Sequence, residues 1–342
     1  MILVLNCGSQ SIKWKLFDRG LKLKKEGKRE VFNSKNYQKI LKEELSKLDN
    51  FRKNIEKVGH RVVHGGEKFR KPTKVNKKVL KELEKFNKLA PLHNPFNILG
   101  IKVAREVFPK SQQIAVFDTE FYGNLPKKAY IYPLPENLRK KYKFRRFGFH
   151  GISHEYVAKT AAKKIKKPFE KLKIITCHLG GGSSITAIKN GMVVDTSMGF
   201  TPLEGLVMMT RPGDIDPGII LELVKKLPLK KVNTILNFKS GLKGLSGYED
   251  MLKILNLVKK GDKKAKLALE VFVYRIKKYI GAYFGILGGC DLLVFGGTIG
   301  YGSPKIRNMI CKDMNILKNS RILAIKTNEE LAIAKKISNK LH

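Results

Sequence analysis

Ile2-Leu3-Val4-Leu5-Asn6-Cys7-Gly8-Ser9-Gln10-Ser11-Ile12-Lys13-Trp14-Lys15-Leu16 opens the chain. It reads as an apolar strand, a small-residue polar turn and a returning strand in which Ile12, Trp14 and Leu16 alternate with Lys13 and Lys15. The plan recurs at mid-chain. Ile174-Ile175 leads into Gly180-Gly181-Gly182-Ser183-Ser184, Ile185, Ala187 and Ile188 lead out, and Asn190-Gly191 closes a hairpin into Met192-Val193-Val194. A strand, polar turn and strand at the head of each half suggest a duplicated domain with a cleft between the copies. Each turn offers backbone N–H groups and hydroxyls suited to phosphate oxygens.

The rest of the chain fits an α/β protein. Val79, Leu80, Leu83, Phe86 and Leu89 mark an amphipathic helix, and Ser153 is placed to cap another through Val157 and Ala161. A long helix is expected from about Asp262 to Tyr283. Ser303-Pro304 begins a further one, and Thr327 with Glu330 makes a capping box for the last. The apolar stretch from Ile280 to Gly302 carries Asp291 and many glycines, so it reads as a helix end, a strand and a glycine loop rather than a membrane span. At 342 residues two domains are expected.

The net charge of +40 would suit a polyanion partner. The lysines are spread in short runs such as Lys163-Lys164 and Lys277-Lys278, which favours a solvated surface over a nucleic-acid or membrane site. Cys7, Cys177, Cys290 and Cys311 form no CxxC pair and read as thiols of a reducing compartment. Met1–Leu5 has neither the basic flank nor the length of a secretory signal.

No GxxxxGK[ST] loop and no protein-kinase signature is present. His60/His64 and His150/His154 have helical metal-ligand spacing, but no HExxH or cysteine pair accompanies them. What stands out is a set of polar clusters flanked by glycine or proline: Gly59-His60-Arg61-Val62-Val63-His64-Gly65-Gly66, Pro91-Leu92-His93-Asn94-Pro95, Val116-Phe117-Asp118-Thr119, Arg146-Phe147-Gly148-Phe149-His150-Gly151, and Thr201-Pro202-Leu203-Glu204-Gly205 through Thr210-Arg211-Pro212-Gly213-Asp214. Loops of fixed geometry concentrate binding residues. Five of them beside two phosphate-type turns point to an anion-handling active site.

At these residues the chain resembles the acetate kinase (acetokinase) family of the sugar-kinase, Hsp70 and actin superfamily, nearly end to end from Leu3 to Lys335. Asn6 to Lys13 looks like the family's N-terminal phosphate motif. Gly148-Phe149-His150-Gly151 and Thr201-Pro202-Leu203-Glu204-Gly205 look like its two signature stretches. The resemblance implies an actin-like (ribonuclease H-like) duplicated two-domain fold with an interdomain cleft. Lobe one is expected over 1–148 plus 328–342, and lobe two, the nucleotide-binding lobe, over 149–327. The implied reaction is ATP plus acetate to ADP plus acetyl phosphate, in a cytoplasmic homodimer.

The resemblance also implies roles. Asp118, His150 and Arg211 would be catalytic. Arg61, Val63, Leu92, His93, Phe149 and Pro202 would hold the substrate, with His93 either lining the acetate site or ordering its loop. Ser9, Ser11 and Lys13 would face phosphates, together with His178, Leu179, Gly180, Gly181 and Gly182. Asp250, Met251 and Leu252, and Thr298, Ile299, Gly300, Tyr301 and Gly302, would meet the nucleoside. Asn6 and Glu329 match positions near Mg²⁺ (or Mn²⁺). His60, His64 and His154 read as structural. A guanidinium fork suits both a carboxylate and a phosphoryl group.

The chain departs from the family on the nucleotide side. The family usually has asparagine at Gly181, arginine at Leu252, and glycine, glutamate and asparagine at Thr298, Tyr301 and Gly302, and its members are usually longer. Two consequences stay open: drift on a tolerant surface, or another donor such as pyrophosphate. Propionate or butyrate as acceptor, and a non-catalytic nucleotide-binding module, are the alternatives in function.

Overall fold

A computed structural model describes residues 1–31 and 36–338. Residues 339–342, assigned from the sequence to the end of the first lobe, lie outside the described residues. The chain forms two compact units. One comprises Met1–Gly123, Phe149–Ile152 and the return from Asn328; the other comprises Asn124–Gly148 and Ser153–Thr327. The stretch 124–148, expected in the first lobe, groups with the second unit for a local reason. Arg146 donates to the carbonyls of Thr196 and Ser197, both at 3.1 Å, and the Phe147 N–H donates to the Gly199 carbonyl at 3.0 Å.

The first unit holds β1 (Ile2–Cys7), β2 (Ser11–Phe17), β3 (Leu23–Glu30), β4 (Lys57–Val62), β5 (Thr73–Lys74) and β6 (Gln112–Phe117) in the order β3-β2-β1-β4-β6-β5. β1, β2 and β3 are antiparallel neighbours, β1, β4 and β6 are parallel, and the two-residue β5 closes the edge. The second unit holds β7 (Lys173–Leu179), β8 (Ser183–Lys189), β9 (Met192–Thr196), β10 (Leu292–Gly296) and β11 (Arg321–Ala324) in the order β11-β10-β7-β8-β9. Here β7, β8 and β9 are antiparallel, and β7, β10 and β11 parallel. The same five-strand topology is therefore built twice, the duplication that the repeated strand–turn–strand pattern suggested. This is the actin-like duplication.

Strand alternation sorts each sheet's side chains. In the first unit Leu3, Leu5, Cys7, Ile12, Trp14 and Leu16 pack into one core with Leu41, Leu45 and Val103. Trp14 is 1% exposed, and its indole N–H is satisfied by Glu44 at 3.1 Å. In the second unit the long helix Lys263–Leu287 buries Leu269, Phe272, Ile276 and Ile280 against Ile175, Cys177 and Phe295 of the sheet. Asp262 caps this helix by accepting from the Ala265 N–H. The Asn190-Gly191 hairpin has both residues at positive φ, 51° and 78°. No helix among the described residues is long and apolar enough to cross a membrane.

Several local expectations are corrected. Ser153 lies inside the helix Gly151–Lys164, and its hydroxyl pairs with His178 Nδ1 at 2.7 Å rather than capping. The last helix, Glu329–Ser338, is capped by Asn328, whose Oδ1 accepts from the Leu331 N–H at 3.2 Å, so Thr327 and Glu330 form no box there. The glycine loop after β10 is a short helix, Gly297–Gly302. His60 lies on β4 rather than on a helix, which removes the helical spacing of His60 and His64.

Candidate active site

In the first unit β1, β4 and β6 are parallel, so their carboxyl ends gather on one side, where ligands bind in open α/β sheets. Asn6 sits near the end of β1 and Arg61 near the end of β4; Asp118 follows β6 directly, its N–H donating to the Val62 carbonyl at 3.0 Å. The Arg61 guanidinium forks on Asp118, Nε to Oδ1 at 3.0 Å and Nη2 to Oδ2 at 2.7 Å. Its Nη1 reaches Asn6 Oδ1 at 3.4 Å and Glu329 at 3.1 Å. Asn6 Nδ2 lies 3.4 Å from both Glu329 and Glu330, and Glu330 also faces Lys15 at 3.7 Å.

Burial opposes the Arg61 charge, but Asp118, Glu329 and Glu330 more than offset it, and the Arg61 pKa is raised. Burial pushes the Asp118 carboxyl up, the Arg61 fork resists, and Glu329 adds to the rise. With both oxygens in the fork, Asp118 stays the anionic partner of the pair. Among the described residues no group of three or more His, Cys, Asp or Glu side chains is arranged to hold a metal alone. The donors here are amide and carboxylate oxygens, the set a hard divalent cation takes when substrate phosphates and water complete its shell.

The loop carrying His150 is pressed against Asp118. The Gly151 N–H donates to the Asp118 carbonyl at 2.9 Å, and a Cβ on Gly151 would lie 2.2 Å from that oxygen, so only glycine fits. His150 itself has φ +58°, a conformation uncommon for a side-chain-bearing residue and concentrated at functional sites. Phe149, 1% exposed, accepts the Tyr122 hydroxyl at its carbonyl at 2.7 Å and packs its ring edge-on to His64 at 5.5 Å. Val63 is buried beside His64, and His93 starts the helix Asn94–Val107 with Leu92 just before it. Arg61, Val63, Leu92, His93, Asp118, Phe149 and His150 thus all belong to the first unit, with Asn6, Ser9, Ser11, Lys13 and Glu329. The β1–β2 turn is closed by the Gly8 N–H donating to the Ser11 carbonyl at 2.9 Å; Ser9 and Ser11 are half-buried and Lys13 is exposed.

Two residues of this unit were given no role from sequence, although Asn94 lies in one of the clusters read there. Asn94 clamps His64, accepting its N–H and donating to its carbonyl, both at 3.0 Å. Asn97 accepts the Val63 N–H at 3.0 Å and donates to the Cys7 carbonyl at 2.7 Å. The one signal was a pair of amides three apart at a helix start, on the face that turned out to be buried.

The second unit carries the glycine turn Gly180-Gly181-Gly182 between β7 and β8, closed by the Gly180 N–H donating to the Gly182 carbonyl at 3.0 Å. Thr298 Oγ1 lies 3.4 Å from where a Gly180 Cβ would sit, which brings the 298–302 segment beside the turn. His178 and Leu179 end β7. Met209 donates its N–H to the Gly181 carbonyl at 3.2 Å. His154 is fully buried between Thr176 and Ser184, both at 2.7 Å, a structural placement. Asp250 caps the helix Met251–Lys259 through the Lys253 N–H at 2.8 Å; Met251 is buried and Leu252 stands 72% exposed. Neither segment is hydrogen-bonded to the glycine turn among the described residues.

Arg211 is the other cation of interest. Its Nη1 donates to the Pro202 carbonyl at 2.9 Å, and no carboxylate among the described residues pairs with it. Burial holds its pKa down to about 10. The signature stretch beside it is fixed by Glu204, which accepts from Arg146 and Tyr132, and by Asp214, which accepts the Gly205 N–H at 2.8 Å.

Duplicated actin-like units, one with a forked arginine at its strand ends and the other with a glycine turn and an arginine that pairs with no described carboxylate, define a phosphotransferase of the actin-like class. The acetokinase family model matches residues 21–319. An acetate kinase of Carboxydothermus hydrogenoformans is 44% identical over 388 aligned positions, covering 98% of this chain and 97% of that protein. One of Helicobacter acinonychis is 46% identical over 92% of this chain and 87% of that protein. Among solved structures, a Porphyromonas gingivalis acetate kinase superposes with TM-score 0.88 at 34% identity, covering 98% of each chain, and a Francisella tularensis propionate kinase with 0.90 at 36%, covering 99% of each. The chain belongs to the acetokinase family, enzymes that phosphorylate a carboxyl group. The alignment of 388 positions exceeds the 342 residues here, in keeping with the shorter chain read from its sequence.

Proposed function

We propose that the protein is an acetate kinase, transferring the γ-phosphoryl group of ATP to an acetate oxygen and releasing ADP and acetyl phosphate. The observation that carries this reading is the Arg61–Asp118 fork, locked to the His150 loop through the Gly151–Asp118 backbone bond. Acetate is already an anion at neutral pH, so the attacking oxygen needs no general base. It forms a bond to phosphorus while the bond to the ADP oxygen breaks, its electron pair leaving with ADP. The work left for the protein is to position two anions and to place cations where charge develops. In this reading Arg61 and Arg211 bind the carboxylate and the phosphoryl oxygens, and His150 donates to the transferring group. Asp118 keeps the Arg61 fork in its plane. Ser9, Ser11 and Lys13 face phosphates with the glycine turn, and Val63, Leu92, Phe149 and Pro202 enclose the methyl group.

Asn6 and Glu329 would hold Mg²⁺ or Mn²⁺, which neutralises phosphate charge when bound. The protein would work as a cytoplasmic homodimer. Propionate is the second acceptor, favoured by the likeness to a propionate kinase; one methylene is worth only about 1–3 kcal/mol of discrimination.

The test is a hydroxylamine trap for acyl phosphate with acetate or propionate, Mg²⁺, and ATP, GTP or pyrophosphate as donor, against an Arg211→Ala control. Acyl hydroxamate with ATP supports the proposal. Product with another donor alone changes the donor, and no product with any of them leaves a nucleotide-binding module.

A further inference from the structure

We propose that Asn97 is a positioning residue that couples the phosphate turn to the acyl-binding loop, so that its two amide atoms serve the two substrates separately. The inference rests on the acetate kinase reading above. The side chain is 3% exposed and bridges two backbones that are 56 positions apart in the chain. Its Oδ1 accepts the Val63 N–H at 3.0 Å, just past β4, in the loop assigned to acetate. Its Nδ2 donates to the Cys7 carbonyl at 2.7 Å, the last residue of β1, from which the Gly8–Ser11 turn departs. Cys7 ends β1 and Val63 follows β4, where the sheet's own ladder stops and backbone groups need other partners.

The helix bearing Asn97 is docked closely enough to make this reach. A Cβ on Gly100, one turn on, would lie 2.6 Å from Cys7 Sγ, so glycine there lets the helix approach the end of β1. Asn94, one turn earlier, holds both backbone groups of His64, so the helix start grips the loop at two successive residues. Loss of either Asn97 bond leaves a buried backbone group without its partner and lets one segment shift while the other stays held.

The two atoms are separable by substitution. Asn97→Asp keeps an oxygen for the Val63 N–H but sets a second oxygen against the Cys7 carbonyl. Asn97→Leu removes both bonds at similar volume. Ile101→Val, on the same helix and fully buried, trims the core without touching the brace.

Acetyl hydroxamate formation and calorimetric ATP binding would be measured for the wild type and all three variants. For Asn97→Asp the expected result is a KM and Kd for ATP raised about tenfold, with the KM for acetate within about twofold of wild type. Asn97→Leu should raise both KM values, and Ile101→Val neither. At low pH, protonation of the introduced carboxylate would restore a donor to the Cys7 carbonyl and bring the ATP constants of Asn97→Asp back toward wild type. The proposal is overturned if folded Asn97→Asp binds ATP as wild type does, or if ATP and acetate constants move together in it. It is equally overturned if Ile101→Val shows the same changes. Should Asn97→Leu fail to fold, Asn97→Asp and its pH response decide alone. Absence of acyl phosphate in the wild type would defeat the acetate kinase reading, while ATP binding would still read the brace.

Discussion

Arg61 and Asp118 stand at the ends of neighbouring parallel strands, and the fork between them, at 3.0 and 2.7 Å, joins β4 to β6 where the ladder stops. Arg61 lies opposite Val116 in the ladder and Asp118, one residue past β6, donates its N–H to the Val62 carbonyl at 3.0 Å, so the fork adds a side-chain link to backbone pairing. The same aspartate fixes the His150 loop through its backbone carbonyl. One residue therefore positions a cation with its side chain and an imidazole with its main chain.

Asp118→Asn should lower kcat by about a hundredfold or more, since a neutral amide cannot take both guanidinium donors and a misaimed cation loses transition-state stabilisation of about 3 kcal/mol. Arg61→Lys should do the same, because an ammonium has no fork. Steady-state kinetics on both variants measure this; near-native kcat in either would show that the fork is dispensable.

Arg211 makes the opposite case. Its pKa falls from 12.5 to about 10 through burial, so the charged form is bound less well by the folded state than by the unfolded one. That cost is fully present below about pH 10 and is relieved only as pH rises from about 10 toward 12.5. Arg211→Met should consequently keep or raise Tm at about pH 7 while abolishing acyl phosphate formation. Phosphate or acetate should raise the Tm of the wild type but not of the variant. A variant that is both inactive and several degrees less stable would mean that the guanidinium is structurally paired after all.

Much of the fold was legible because it rests on alternation and turn chemistry, which are local. The recurrence of a strand, a polar turn and a strand at Ile2–Leu16 and Ile174–Val194 became the same five-strand order in both units. What failed was choice among equivalent local partners. Asn328 and Thr327 are both capping residues, and only the helix start decides between them. Ser153 read as a cap because its bond to His178 spans 25 residues. The Asn94 and Asn97 bonds were beyond sequence reasoning, since their partners are main-chain groups 30 to 90 positions away and carry no residue signature.

His60 and His64 are each lowered from 6.5 to about 4 by burial, which Gln113 only partly counters at His60, and His154 is held well below its ordinary value by burial and by His178. A depressed histidine pKa means that the unfolded state takes up protons first. Stability should therefore fall as pH drops from about 6.5 to about 4 through His60 and His64, with His154 acting in the same direction. His60→Gln should flatten the dependence and lower proton uptake on unfolding at about pH 5 by about one. Calorimetric unfolding in buffers of different ionisation enthalpy reads that uptake directly. An unchanged uptake would mean that His60 is already charged in the folded protein.

Gly181 tests whether the altered donor side is a loss or a choice. Nothing lies within 4 Å of the position a Cβ would take there, and the residue is not in the left-handed region, so asparagine, the residue expected there from the sequence resemblance, can be introduced without backbone strain. Gly181→Asn should keep Tm within about a degree, because exposed substitutions free of strain change stability by no more than about 0.5 kcal/mol. An added amide at the glycine turn should also lower the KM for ATP about tenfold if it gains a hydrogen bond to a phosphate oxygen. Competition among ATP, GTP and pyrophosphate in the hydroxamate assay separates the two meanings. If ATP tightens alone, the native glycine is drift that weakened an adenine-directed site. If pyrophosphate is the better donor before the change and ATP after it, the open turn is what admits the smaller donor.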